Sequence, residues 1–209
     1  MIKRPLQLSK MFVLSSVIFF IGCAGPEGQA DFAKELQADR DSINTHFNNP
    51  QTTQLTEEDL IHFEGLNFYP ADICFAIPAV FEPIIGAPIE EFATTTARMA
   101  KYRAKGYLNF EYDTKPYQLT VYENAVYASQ PNYDGSLFLP FTDATNGKET
   151  YGGGRYLDFN IKEVDNVLID FNRSYNPYCA YNPKYSCPIP PLENDLDFAV
   201  TAGIKKWHD

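Results

Sequence analysis

Two arginines, two cysteines and three consecutive glycines fall between positions 151 and 191 of this 209-residue chain. The stretch opens Tyr-Gly-Gly-Gly-Arg-Tyr-Leu-Asp-Phe-Asn (151–160). After an acidic turn it continues Leu-Ile-Asp-Phe-Asn-Arg-Ser-Tyr-Asn-Pro-Tyr-Cys-Ala-Tyr-Asn-Pro-Lys-Tyr-Ser-Cys-Pro-Ile-Pro-Pro (168–191). Beside Tyr151, the backbone N–H groups around Gly153 together with the Arg155 guanidinium can form an anion site for a carboxylate or phosphate. The same glycines serve a turn or bulge equally well, with Arg155 paired to Asp158 or Asp170. Asp158 and Asp170 sit in two similar pieces, Tyr-Leu-Asp-Phe-Asn and Leu-Ile-Asp-Phe-Asn. Pairing of these as neighbouring strands would gather two carboxylates with Asn160 and Asn172, neutralised by Arg155 and Arg173. Such a cluster is either an ion-pair network or a polar ligand site. Tyr156, Tyr175 and Asn176 complete the candidate ligand-binding face.

Tyr175-Asn176-Pro177 and Tyr181-Asn182-Pro183 repeat a turn-forming tripeptide, since Asn closes a local turn and Pro presets φ. The double turn brings Cys179 and Cys187 together as the natural disulfide pair. A metal pair and thiol chemistry are the alternatives, although His46, His62 and His208 have no ligand spacing and no Cys-His pairing is visible. No cofactor is specified by the sequence. Glu193-Asn194 reads as a solvated turn.

These residues need a scaffold. Phe32, Leu36, Ile43 and Phe47 recur at four, seven and four, which predicts an amphipathic helix over residues 31–47, stopped by Asn48-Asn49-Pro50. Thr56-Glu57-Glu58-Asp59 reads as a capping box opening one short helical turn. From Gly65 onward the pattern is strand-like. Residues 66–69, 73–77 and 80–85 are interrupted by Pro70, Pro78 and Pro83, which predicts short or edge strands. Residues 107–112 and 117–122 form the clearest hairpin, with Leu108, Phe110 and Tyr112 on one face. Residues 89–96 and 137–141 are further strands, residues 142–147 a turn, and residues 198–202 a last strand. The fold class expected is mainly β, a small antiparallel barrel or sandwich with an N-terminal amphipathic helix.

The first residues are excluded from that domain. Lys3, Arg4 and Lys10 precede an apolar run too short to span a bilayer comfortably, and Gly22-Cys23 follows it, so residues 1–22 are similar to a lipoprotein signal peptide. That resemblance implies lipidation at Cys23. Ala24 rather than Asp in the next position implies outer-membrane sorting. Residues 23–30 then form a lipidated tether and residues 31–209 a single β-rich domain. The leader removes three basic residues and no acidic ones, leaving 14 basic against 27 acidic side chains. That balance excludes nucleic acid as a partner and leaves the lipid on Cys23 as the membrane contact. Cys74, within Ile-Cys-Phe-Ala-Ile, reads as a buried small hydrophobe.

Four segments carry a wider resemblance: Phe-Glu-Gly-Leu-Asn-Phe-Tyr-Pro (63–70), Leu-Phe-Leu-Pro-Phe-Thr-Asp-Ala-Thr-Asn-Gly-Lys-Glu-Thr-Tyr-Gly-Gly-Gly-Arg-Tyr-Leu-Asp (137–158), Asp-Phe-Asn-Arg-Ser-Tyr-Asn-Pro-Tyr-Cys-Ala-Tyr-Asn-Pro (170–183) and Cys-Pro-Ile-Pro-Pro-Leu-Glu-Asn (187–194). Together they resemble the bacterial and archaeal family known as domain of unknown function 1684, from about Asp31 to Gly203. The family tends to read Ala-Gly-Glu where this chain has Ala202-Gly203-Ile204. The resemblance implies a domain boundary and assigns no catalytic residue. The expected function is a lipid-anchored cell-envelope protein, facing the periplasm, that binds a small polar or anionic ligand or an envelope protein. An enzyme using Cys179, Cys187, a metal or a phosphate-bearing cofactor held by Arg155 is one alternative. A purely structural lipoprotein is the other.

Overall fold

The computed structural model describes residues 26–160 and 167–208. The expected leader and Cys23 lie outside the described residues. Helix α1, Pro26–Asn48, begins within the expected tether and opens on a proline, whose missing N–H costs nothing in a first turn. Helix α2, Glu57–Ile61, is capped as expected, with the Thr56 hydroxyl accepting from the Asp59 amide at 3.1 Å. No described helix is long and apolar enough to cross a membrane.

Seven strands follow: β1 (Ala76–Pro83), β2 (Ile89–Ala93), β3 (Met99–Tyr112), β4 (Lys115–Asn124), β5 (Ser136–Phe141), β6 (Arg155–Asn160) and β7 (Val167–Asp170). They form one antiparallel sheet in the order β6-β5-β4-β3-β1-β7, with β2 also pairing β3. The chain is thus mainly β with an N-terminal helix. The sheet curls into a half-barrel, as two rings show. Phe141 ends β5 and Phe171 follows β7, four strand spacings away, or roughly 19 Å across a flat sheet. Their centroids are 5.2 Å apart.

Alternation builds the core. Leu108 and Phe110 of β3, Leu119 and Val121 of β4, and Leu137, Leu139 and Phe141 of β5 all point into the curl. The β3–β4 hairpin closes through the two residues Asp113 and Thr114, both with positive φ, which matches the right-handed twist of the strands. The strand β3 carries β2 along its first half and β1 along its second. At the junction a bulge falls beside Gly106, where an added Cβ would lie 2.2 Å from the Phe81 ring.

Several expectations are corrected. β1 is an interior strand between β3 and β7. Pro78 is tolerated because pairing with β3 begins only at Ala79 and Pro83 ends the strand. Residues 66–69 contribute only the bridge Phe68–Ile204, and Ile73–Phe75 is a 3-10 turn. Residues 198–202 form no strand, and the carbonyls of Val200 and Ala202 are taken instead by a side chain described below. β6 and β7 lie at opposite ends of the sheet order and do not pair, so sequence similarity between them does not place Asp158 beside Asp170. Cys74 is half-buried rather than an apolar core thiol.

Candidate functional site

Arg155, the expected anion ligand, is fully buried. One terminal nitrogen donates to Asp143 Oδ2 at 2.9 Å and to the Val200 carbonyl at 2.8 Å. The other donates to the carbonyls of Ala202 and Ile204. Within residues 198–202 the guanidinium satisfies the Val200 and Ala202 carbonyls, and the Ala144 amide satisfies that of Phe198. Asp143 is held in turn, its Oδ1 accepting from the Thr145 amide and hydroxyl and from the Val200 amide. The glycine run makes a tight turn that delivers Arg155 inward. Gly154 has φ +88, and a Cβ there would lie 2.6 Å from Pro190 and 2.7 Å from the Phe141 carbonyl. Both terminal nitrogens of the guanidinium are thus engaged inside the core rather than with the Gly153 backbone in an anion site.

The other expected residues divide. Tyr151 points its hydroxyl at Cys179 Sγ, 3.7 Å away, and Tyr156 is buried with its hydroxyl donating to the Pro188 carbonyl. Asn172 is buried and exchanges hydrogen bonds with the Asp72 backbone while donating to Asp170. Asp170 also accepts from Arg173 Nε at 3.1 Å, and Arg173 reaches Glu35 at 2.8 Å and Asp39 on α1. Arg173 is therefore a clamp between sheet and helix. Tyr175 donates to Asp158 at 2.7 Å and exchanges backbone hydrogen bonds with Tyr156, covering the outer edge of β6. Burial around the Asp158 carboxyl raises its pKa, against the Tyr175 hydrogen bond.

Cys179 and Cys187 are brought together but are both free thiols. Of the two expected Asn turns, Asn182 closes one, accepting from the Lys184 amide, whereas Asn176 donates its side chain to the Lys205 carbonyl. Among the described residues no group of three or more His, Cys, Asp or Glu side chains could hold a metal ion. Asn194 is also corrected. It is wholly buried, donating to the carbonyls of Thr120 and Pro140 and accepting from the Thr120 amide at 2.7 Å. It bridges β4 and β5, which pair directly only at Tyr122–Phe138 and where Pro140 offers no N–H.

A cavity of about 420 Å³ lies between α1 and the segment 172–181, a volume suited to a small ligand. Asp158, Asn172, Arg173, Tyr175 and Asn176 line it, so half of the expected face converges here. Its apolar wall includes Leu36, Phe47, Leu66, Phe68 and Tyr181. The cavity also holds a residue the motifs did not single out. Arg40 is 9 % exposed, and its Nε and Nη2 are buried with no hydrogen-bond partner. Its guanidinium carbon sits 4.8 Å from the centre of the Phe68 ring. Burial pulls its pKa down, while the Asp170 charge acts the other way. Ser174 Oγ and Asn176 Oδ1, on two more lining residues, are also buried without partners. A signal for Arg40 was present: it stands four residues after Leu36 and three before Ile43, a cation within the apolar stripe of the helix.

A curled antiparallel sheet with an N-terminal helix, and an amphiphilic cavity between that helix and the segment 172–181, define a small β-rich domain with a ligand-sized pocket. The family model described as "Protein of unknown function (DUF1684)" matches residues 61–205, and the chain belongs to that family. The fold is similar to the solution NMR structure of an uncharacterised protein from Haloarcula marismortui. The two chains are 30% identical with a TM-score of 0.65, over 86% of this chain and 96% of that one. Among curated proteins none matches at a significant level.

Proposed function

We propose that the chain is a lipid-anchored cell-envelope protein whose pocket under α1 binds a small ligand with one anionic group on an apolar or aromatic body. The observation that carries this reading is Arg40. A buried guanidinium with two unmade donors is costly, because arginine does not deprotonate to escape the penalty. A ligand carboxylate or phosphate supplies the missing acceptors, and the walls formed by Leu36, Phe47 and Tyr181 favour an apolar body. The envelope location rests on the basic residues, apolar run and Cys23 of the leader.

Thermal unfolding with octanoate, benzoate and inorganic phosphate tests the ligand class. At a hundred times its Kd a ligand adds about 2.7 kcal/mol, so binding of any of the three raises Tm measurably. No shift with any of them, at any concentration up to their solubility, removes the support. The anchor is tested separately by the intact mass of protein extracted from the envelope. A diacylglyceryl thioether at Cys23 is expected, and Cys23→Ser releases the domain. A mature chain with no lipid on Cys23 and that sulfur in a disulfide overturns the anchor.

A further inference from the structure

The segment 178–188 carries chemistry that the pocket does not use. It is fastened at several points. The Thr95 amide donates to the Cys187 carbonyl at 2.9 Å, the Cys187 amide to Thr95 Oγ1 at 3.1 Å, and the Ile189 amide to the Ala93 carbonyl at 2.8 Å. The rings of Tyr178 and Tyr185 pack at 5.3 Å. Within this frame the Cys179 amide donates to Cys187 Sγ at 3.2 Å, so the Cys187 sulfur lies within one side chain's reach of the Cys179 sulfur. The two thiols differ in access: Cys179 is half-buried and Cys187 only 7 % exposed.

We propose that Cys179 and Cys187 form a thiol–disulfide exchange centre that takes a disulfide as substrate, with Cys179 attacking and Cys187 resolving. The asymmetry supports these roles. Hydrogen bonding from the Cys187 thiol, helped by the Tyr151 hydroxyl, pulls the Cys179 pKa down to about 6 against the effect of burial. The same contact with Cys179, together with burial, pushes the Cys187 thiol up. The more accessible sulfur, whose pKa is lowered, is therefore placed to attack and the more buried one to resolve. The Cys179 thiolate attacks one sulfur of the substrate RS–SR. That S–S bond breaks, the first RS⁻ leaves and takes a proton from solvent, and a mixed disulfide remains on Cys179. Cys187 then gives up its proton and attacks the Cys179 sulfur. The mixed disulfide breaks, and the second RS⁻ leaves with that proton. Two electrons pass from the cysteine pair to the substrate, which is reduced to two thiols as the Cys179–Cys187 disulfide forms.

The test equilibrates the full-length protein, extracted in detergent, with oxidised and reduced glutathione and maps cysteines by mass spectrometry. The expected result is a reversible change between dithiol and Cys179–Cys187 disulfide as the ratio varies. Cys187→Ser accumulates a glutathione adduct on Cys179, whereas Cys179→Ser forms none on Cys187. Iodoacetamide alkylation of Cys179 in the unaltered reduced protein, which does not depend on the variants folding, reaches half its maximal rate near pH 6. A disulfide that stays closed across all ratios marks a structural staple and overturns the proposal. So do thiols that stay reduced in excess oxidised glutathione, adducts on Cys187 first, or alkylation that rises only near the ordinary thiol pKa of about 8.5.

Discussion

The Arg155 guanidinium stands 2.9 Å from the Asp143 carboxylate with both side chains wholly shielded from solvent. Around this pair the C-terminal segment is fastened to the sheet through the carbonyls of Val200, Ala202 and Ile204. Removing one member leaves the other as an uncompensated buried charge. Arg155→Ala and Asp143→Ala are each expected to lose about 3–5 kcal/mol of unfolding free energy in urea. Arg155→Lys is expected to rescue little, since an ammonium cannot reproduce the forked contacts. A loss under 1 kcal/mol for either alanine variant contradicts the structural role given to the pair.

Asn194 is the second internal fastener. Truncation to alanine removes three hydrogen bonds and leaves the Thr120 amide and the carbonyls of Thr120 and Pro140 unmet inside the core. Asn194→Ala is expected to cost roughly 3 kcal/mol. Asn194→Asp is expected to be worse, because it replaces the double donor with a charge facing two carbonyl oxygens. Hydrogen exchange at the Thr120 amide locates the effect: protection there falls if Asn194 spans the β4–β5 gap and is unchanged if it does not.

The β3–β4 turn offers a change in the opposite direction. Thr114 is β-branched and sits at φ +63, a conformation that glycine adopts freely. Thr114→Gly creates the Asp-Gly pair favoured in such turns and is expected to add about 1 kcal/mol to stability. An unchanged or lower Tm for this variant would show that the threonine side chain makes a compensating contact.

Much of the scaffold was legible because alternation and turn chemistry are local. Leu108 and Phe110 announced a strand with one buried face, and Thr56 with Asp59 announced the cap of α2. Strand order is not local. The similar pieces ending at Asn160 and Asn172 suggested paired neighbours, yet the strand order places them at opposite ends of the sheet. The burial of polar residues was hidden for the same reason. Asn194 looks like a loop residue until the missing N–H of Pro140 is placed across from Thr120. The arginine beside the glycines drew attention as an anion ligand, although its partners lie in a turn and a tail far along the chain. Arg40 was visible in the helical spacing, but a charge on an apolar face acquires meaning only once the cavity it lines is known.

The most direct measurement is calorimetric titration of octanoate into the folded protein, its Arg40→Met variant and its Ile204→Glu variant. Arg40→Met removes the buried charge while keeping much of the side-chain volume, so it is expected to fold with stability equal to or above that of the parent. Ile204 lines the same pocket, and glutamate there places a carboxylate in the wall to compete with the ligand. Saturable binding to the parent, weakened at least tenfold (about 1.4 kcal/mol) in both variants, is the expected result. Equal affinity across all three proteins contradicts an anion site built on Arg40, as does a parent that binds neither octanoate nor benzoate nor phosphate.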